Sequence, residues 1–114
     1  MVDRRKLGRN SKARGKQEER NVLKLLQEHF GEEFKRNPDN GTKVADVESE
    51  NIVVEVKSRQ TAPWRLLQDA WAQAEKAAED TGKEPYVVVS NIQNRRRVRW
   101  IITKLPESVD DVTS

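Results

Sequence analysis

Apolar and polar positions alternate along this chain with two different periods. The helical period predicts a first helix from Lys16 to Phe30 and a second from Pro63 to about Asp80, which Gly82 ends. Short runs rich in β-branched residues predict strands at Val44–Ser49, Ile52–Ser58, Pro85–Ser90 and Val98–Thr103, the last two joined by a polar turn through Asn91–Arg97. The pattern predicts an α/β domain in which helices flank a small mixed β-sheet.

The first two strands predict a β-hairpin that brings charged residues together. With Glu50 and Asn51 as its loop, Asp46 lies opposite Glu55, and Lys57 shares their face. Opposed like charges destabilise a strand pair unless a partner offsets them, and a divalent cation such as Mg²⁺ prefers carboxylate ligands. Lys57 could orient the nucleophile or stabilise a developing oxyanion. The alternative is an ordinary solvated strand face.

A third carboxylate comes from the first helix. At about 100° per residue, Glu19 points into the apolar face formed by Val22 and Leu26, while Glu18 lies at its margin. A carboxylate aimed inward needs a metal, an arginine or a hydrogen-bond donor, so Glu19 is the better candidate for the site. The alternative is a first-turn acid that the helix dipole favours.

These motifs together resemble the PD-(D/E)xK nuclease superfamily, and within it the archaeal-type Holliday junction resolvases, some of which phages encode. The matching elements are Arg14-Gly15-Lys16-x-x-Glu19-Arg20, then Arg36, Asp46 and Glu55-Val56-Lys57-Ser58-Arg59, followed by a long helix. The resemblance implies a restriction-endonuclease-like core and a homodimer that uses Mg²⁺ or Mn²⁺. By the same resemblance Glu19, Asp46 and Glu55 hold the metal, Lys57 is catalytic, and Arg20 and Arg36 contact DNA.

The chain departs from the resolvase pattern at two places. The segment after Arg36 lacks the family's serine-glycine-serine sequence, and Thr42 is a candidate substitute for the catalytic serine. Ala45 stands where the superfamily name implies proline. Neither departure removes a candidate metal ligand, and we add Thr42, Lys43 and Arg59 to the expected DNA contacts.

Positive charge is concentrated near the N-terminus. The whole chain has a net charge of +3, yet the first sixteen residues contain seven basic residues and one acid. We therefore expect residues 1–15 to form a flexible basic arm that becomes ordered on DNA. The alternative is a basic arm that only aids solubility. The expected contacts are Arg4, Arg5, Lys6, Arg9, Lys12, Arg14 and Lys16. Arg95, Arg96 and Arg97 either contact phosphates too or keep an edge strand from aggregating.

The second helix carries apolar residues on two stripes. One stripe is Trp64, Leu67, Trp71, Ala74 and Ala78, and the other, roughly opposite, is Leu66, Ala70, Gln73 and Ala77. One face is expected to pack on the sheet and the other to form a dimer surface, unless the tryptophans are core and the alanines exposed. Gln73 is a further candidate near the site by analogy with other superfamily branches.

Composition limits the remaining possibilities. With no cysteine and only one histidine, His29, the chain offers no disulfide, zinc-thiolate site or histidine triad, and His29 is expected to be half-buried packing. No apolar run suggests a signal peptide or a membrane span, and we expect no membrane association and no small-molecule cofactor. We expect a cytoplasmic protein of a prokaryotic or phage-infected cell, with a nuclease domain at 16–106 and an acidic tail at 107–114.

The sequence thus predicts a metal-dependent endonuclease that resolves four-way junctions by paired symmetric nicks, because a symmetric dimer holds two sites at a fixed separation. Two alternatives stay open. One is another PD-(D/E)xK endonuclease of the nicking, flap or restriction type, and the other is a DNA-binding module without catalysis.

Overall fold

The architecture is a five-stranded sheet with one helix on each face. The structure, a computed structural model, describes residues 4–37 and 44–106, with side chains described from residue 14 onward. In chain order the elements are α1 (Arg4–Phe30), β1 (Lys35–Arg36), β2 (Val47–Glu48), β3 (Ile52–Ser58), α2 (Trp64–Thr81), β4 (Glu84–Gln93) and β5 (Arg96–Ile102). The strands lie in sequence order; β3 and β4 are parallel, and the other neighbours are antiparallel. The predicted α/β class with a mixed sheet is confirmed.

Helix α2 forms the crossover that parallel strands require. It starts directly after Pro63, which has an extended conformation suited to helix entry, and ends at Gly82 in the left-handed conformation (φ 70°). The amide of Gly82 donates a hydrogen bond to the carbonyl of Ala78 at 2.7 Å. Both predicted boundaries of this helix are confirmed to within a residue, because proline and glycine act through backbone geometry alone.

The core lies on both faces of the sheet because β3 and β4 are buried on both sides. Toward α1 the buried cluster comprises Val22, Leu26, Phe34, Val47, Ile52, Val54 and Val88. Toward α2, Val53 packs with Ala77 and Ala78, and Val87 and Val89 pack with Ala70 and Ala74. Successive residues of a strand point to opposite faces, so β3 sends Val54 toward α1 and Val53, Glu55 and Lys57 toward α2.

The first helix begins twelve residues earlier than predicted, at Arg4 instead of Lys16. The intervening residues 4–15 include four arginines and two lysines, which have high helix propensity, and they show no apolar stripe from which a helix could be predicted. Gly15 lies within the helix without ending it. The side chains of Arg4, Arg5, Lys6, Arg9 and Lys12 lie outside the described part of the structure, so their DNA contacts stay a prediction.

The buried face of α2 is neither of the two predicted stripes, and it is not formed by the tryptophans. Its buried residues are Ala70, Ala74, Ala77 and Ala78, two from each predicted stripe, whereas Trp64 is 71% exposed. The two stripes are therefore not opposite faces, and the alanines between them form the sheet-facing side. Small side chains allow the helix to lie close to the valines of β3 and β4, which explains why alanine rather than tryptophan is buried.

The last hairpin is longer and tighter than predicted. Strands β4 and β5 pair up to Gln93 and Arg96, which leaves a turn of two residues, Asn94 and Arg95, with φ of 50° and 64°. Two-residue hairpin loops favour such positive φ values because their twist matches that of the strands. The polar residues at Asn91–Gln93 suggested a loop, yet they continue the strand, so the wide predicted turn was wrong.

The remaining predictions concern residues outside the core and the possibility of a membrane-spanning helix. His29 is exposed, with its ring edge-to-face on Phe30 at 4.8 Å, so the half-buried placement was wrong. Thr42, Lys43 and the acidic tail at 107–114 lie outside the described residues. Neither of the two described helices combines the length and apolarity that crossing a membrane requires.

Candidate active site

The β2–β3 hairpin has the predicted register. Val47 pairs with Val54 and Glu48 with Val53, so Asp46, directly before β2, stands opposite Glu55. The carboxylate of Asp46 accepts a hydrogen bond from the amide of Val56 at 2.8 Å, which fixes it against β3. β2 is shorter than predicted, but the pairing that determines the site is confirmed.

The turn of this hairpin is fixed by an acid that the sequence reasoning missed. The hydroxyl of Ser49 donates to the carboxylate of Glu32 at 2.6 Å and accepts from the amide of Ile52 at 3.0 Å. Asn51 donates to the same carboxylate at 3.0 Å. Glu32 lies in the loop after α1, where no periodicity distinguished it. These bonds lock the register that keeps Asp46 opposite Glu55.

Glu55 is the most perturbed acid of the site. Its side chain is buried, and its pKa is raised from 4.5 to about 8. Burial is the largest cause of this rise, and the charge of Asp46 and a hydrogen bond with Asp46 are the next two. The charge of Glu19 adds to this rise of the pKa, and that of Lys57 opposes it. A carboxyl that stays protonated near neutral pH beside a second carboxylate marks a place where a cation would be favourable.

Lys57 lies between the acid pair and α2. Its Nζ is 3.8 Å from Oε1 of Glu55 and donates a 3.4 Å hydrogen bond to Oε1 of Gln73. Gln73 was singled out only by analogy, because an isolated glutamine on a helix has no distinctive pattern. The contact shows that α2 helps to position the lysine at the end of the site.

The two glutamates of α1 have different partners. Glu18 is the more buried and accepts two hydrogen bonds from Arg99, at 2.8 and 2.9 Å. Glu19 forms a 3.3 Å ion pair with Arg36 and is close enough to Glu55 to affect its pKa. The prediction that Glu18 lies at the margin was wrong, because the partner that draws it inward comes from β5, far along the chain.

The donor set of the hairpin fits a hard divalent cation. Asp46 and Glu55 supply adjacent carboxylate oxygens, the ligand type that Mg²⁺ and Mn²⁺ prefer. Among the described residues, however, no group of three or more acidic or histidine side chains is gathered closely enough to hold a metal ion. Glu19 approaches from the α1 side of the sheet, whereas Asp46 and Glu55 lie on the α2 side. The structure therefore brings two of the three predicted ligands together and keeps the third on Arg36.

The remaining candidate residues differ in their solvent exposure and in whether they line a cavity at this site. Lys57 and Glu19 line one small cavity of about 160 Å³, which Gly15, Glu18, Val56, Ser58 and Arg59 complete. The predicted DNA contacts Arg14, Lys16, Arg20, Arg59, Arg95, Arg96 and Arg97 are exposed, and Arg36 is half-buried. Of these exposed basic residues, Arg59 lines the cavity, and the others are not part of its lining.

Comparison with known proteins shows the family to which the chain belongs. The small mixed five-stranded sheet with its two helices is consistent with a PD-(D/E)xK nuclease-like fold. The model of the family described as "Phage putative PDDEXK endonuclease" matches residues 10–110, and the chain belongs to this family. No curated protein matches the chain.

Proposed function

We propose that this protein is a metal-dependent endonuclease that hydrolyses DNA phosphodiester bonds at the Asp46–Glu55–Lys57 site. The observation that carries the proposal is the pairing of two carboxylates across β2 and β3, with the Lys57 ammonium 3.8 Å from Glu55. Membership in an endonuclease family supports the same chemistry.

Asp46 and Glu55 would hold Mg²⁺ or Mn²⁺ through their carboxylate oxygens, with Glu19 as a proposed third ligand. When bound, such an ion supplies Lewis acidity and lowers the pKa of a coordinated water. Burial and the neighbouring Asp46 favour the protonated form of Glu55. To serve as a metal ligand, Glu55 must therefore lose this proton. Glu19 must in turn exchange its contact with Arg36, which would release that arginine toward a DNA phosphate.

Lys57 has the position of a general acid or an electrostatic stabiliser. Its ammonium donates a 3.4 Å hydrogen bond to Gln73 and lies 3.8 Å from Glu55, so these two contacts direct it toward the acid pair before substrate binds. A preorganised cation next to a scissile phosphate stabilises the charge that develops on the phosphate oxygens. Gln73 acts as a positioning residue, since it contacts the lysine and not the acid pair.

We further propose a four-way DNA junction as the substrate. Support comes from the resemblance of the α1, β2 and β3 motifs to the Holliday junction resolvases and from the physical requirement for paired cuts. A homodimer with two-fold symmetry would place two sites on opposing strands, whereas a monomer would make independent nicks. This activity would act on DNA in the cytoplasm of a prokaryotic or phage-infected cell.

Another PD-(D/E)xK endonuclease activity is the second candidate, because the matched family is described by its nuclease class and not by a junction. The test is to incubate the purified protein with labelled four-way junction, linear duplex and flap DNA, in Mg²⁺, in Mn²⁺ and in chelator, and to map the nicks. Symmetric, metal-dependent nicks confined to the junction are expected. Nicks in flap or linear DNA would remove the junction assignment, and the lack of any metal-dependent cut would remove the nuclease proposal.

A further inference from the structure

A second polar cleft lies beside the candidate active site, on the α1 side of the sheet. Its volume is about 710 Å³, and it is open to solvent between the N-terminal half of α1, the end of β3 and the start of β5. Gly15, Glu18, Ser58 and Arg59 line both this cleft and the small cavity that contains Lys57. The two spaces are therefore neighbours that share a wall.

The charges lining this cleft are strongly one-sided. Four arginines contribute to its wall, Arg14, Arg59, Arg97 and Arg99, against one acid, Glu18. Arg99 is neutralised by the two hydrogen bonds it donates to Glu18. Within the described part of the chain, Arg59 and Arg97 are hydrogen-bonded to neutral oxygens instead: the carbonyl of Ser58 at 2.9 Å and the hydroxyl of Ser90 at 3.2 Å. These hydrogen bonds orient the two guanidinium groups but do not neutralise their positive charges.

Arg97 is held in place by a buried polar network. Ser90 is fully buried; its hydroxyl accepts a hydrogen bond from Arg97 and interacts with the carboxylate of Glu18, which Arg99 also binds. The backbone of Ser90 is fixed as well, because its carbonyl accepts from the amide of Arg59 at 3.0 Å. One serine thus links the arginine of β5 to the end of β3.

The alternation of β5 explains why these side chains meet. Val88 pairs with Ile101 and Ser90 with Arg99, so Arg97 and Arg99 lie on the same face as Ser90 and Glu18. A network of this kind preorganises a guanidinium, which matches phosphate oxygens in a bidentate geometry. Preorganisation lowers the side-chain entropy that is lost when a ligand binds.

We propose that this cleft is a subsite for a DNA backbone phosphate that neighbours the phosphate cut at the Lys57 site. Arg97, Arg59 and Arg14 would bind its oxygens, and Ser90 with Glu18 and Arg99 would act as positioning residues. The proposal deepens the proposed endonuclease function and rests on DNA being the substrate. It assigns to Ser90 and Glu18 a role in DNA binding without any contact to DNA.

Binding measured without metal tests the subsite independently of cleavage. Anisotropy of labelled duplex and four-way junction DNA is titrated in chelator, at several salt concentrations, with the full-length wild type, Arg97→Gln, Ser90→Ala and Arg65→Gln. Arg65→Gln is the matched control, because Arg65 is an exposed arginine on α2 outside the cleft. Circular dichroism and a urea titration establish that each variant is folded.

Arg97→Gln is expected to weaken binding about 5- to 20-fold and to reduce the salt slope by ~1, as loss of one phosphate contact does. Ser90→Ala should weaken binding several-fold although the charge of the protein is unchanged, and Arg65→Gln should stay within about twofold of wild type. Equal losses for Arg97→Gln and Arg65→Gln, unchanged binding by Arg97→Gln, or no DNA binding by wild type would each overturn the subsite.

Failure of the subsite and failure of the endonuclease proposal give different results. If wild type binds DNA through Arg97 but cuts nothing in Mg²⁺ or Mn²⁺, the cleft stands as a binding site for a DNA phosphate and the endonuclease proposal fails. If Arg97→Gln binds and cuts like wild type, the subsite fails and the endonuclease proposal is unaffected.

Discussion

The carboxyl group of Glu55 lies against that of Asp46 across the β2–β3 hairpin, and the pair shares a hydrogen bond. Burial together with this neighbour raises the pKa of Glu55 to about 8, so the Glu55 carboxyl carries a proton at neutral pH. A divalent ion bound to Glu55 must displace that proton. The predictions about metal binding and about stability both follow from this relationship.

Metal binding should release a proton. At pH 7 we expect Mn²⁺ binding to wild type to release nearly one proton, and the affinity to rise by up to about tenfold per pH unit below pH 8. Isothermal titration calorimetry in buffers of different ionisation enthalpy measures the released protons directly. Glu55→Gln should bind Mn²⁺ more weakly and release none; binding to wild type without proton release would contradict the assignment of Glu55 as a ligand.

The stability of the metal-free protein should depend on the same proton. The folded-state pKa of Glu55, about 8, lies above its unfolded value of 4.5. At pH values between these two, the folded state therefore binds more protons than the unfolded state. The free energy of unfolding should therefore fall as pH rises from about 5 to 8.5, on the order of 1–2 kcal/mol from this group after solvent screening. Urea titrations across this range should show the fall in wild type and not in Glu55→Gln. The same pH dependence in both proteins would refute the prediction.

The Glu18–Arg99 pair should contribute to stability with the opposite pH dependence. Burial raises the pKa of Glu18, but hydrogen bonds from Arg99, Ser90 and Asn21 outweigh it and hold the pKa below 4.5. The contribution of Glu18 is thus present above pH 4.5 and is lost as pH falls through the lowered value. Glu18→Gln should reduce the free energy of unfolding at pH 7 by about 2 kcal/mol, less than for a fully buried pair since Arg99 remains partly exposed.

Urea titration at pH 7 and pH 3 measures this effect, with the exposed Glu28→Gln on α1 as the matched control. The loss caused by Glu18→Gln should shrink as the pH falls through the lowered pKa of Glu18, because the wild-type carboxylate then loses its charge as well. A loss at pH 7 no larger than that of Glu28→Gln would show that the ion pair is not stabilising.

The hairpin and the grouping of its three candidate site residues were predictable because both depend on local rules. A two-residue loop and the strand period of two fix which residues oppose each other, and Asp46, Glu55 and Lys57 lie within twelve residues of one another. Glu18 and Arg99 are separated by 81 positions, and nothing local indicates that they meet. The extent of α1 escaped prediction for a different reason, since residues 4–15 lack the hydrophobic periodicity from which helices are predicted.

The basic N-terminal segment should supply affinity that does not depend on DNA sequence. Deleting residues 2–13 removes five basic residues and leaves Arg14 in place, so binding should weaken and its salt dependence should flatten. Anisotropy titrations over a range of salt concentrations test this. A full-length variant with Arg4, Arg5, Lys6, Arg9 and Lys12 changed to Gln separates charge from chain length. An unchanged salt slope in both variants would assign the segment a solubilising role.

The most direct test of the central claim is cleavage of a labelled four-way junction by wild type, Glu55→Gln and Lys57→Ala in Mg²⁺ or Mn²⁺. Glu79→Gln and Lys76→Ala, two exposed positions of α2, are the matched controls. We expect both site variants to lose at least about 100-fold in rate while binding the junction within a few-fold of wild type, and both controls to cut normally. Retained cleavage by either purified site variant would contradict the account.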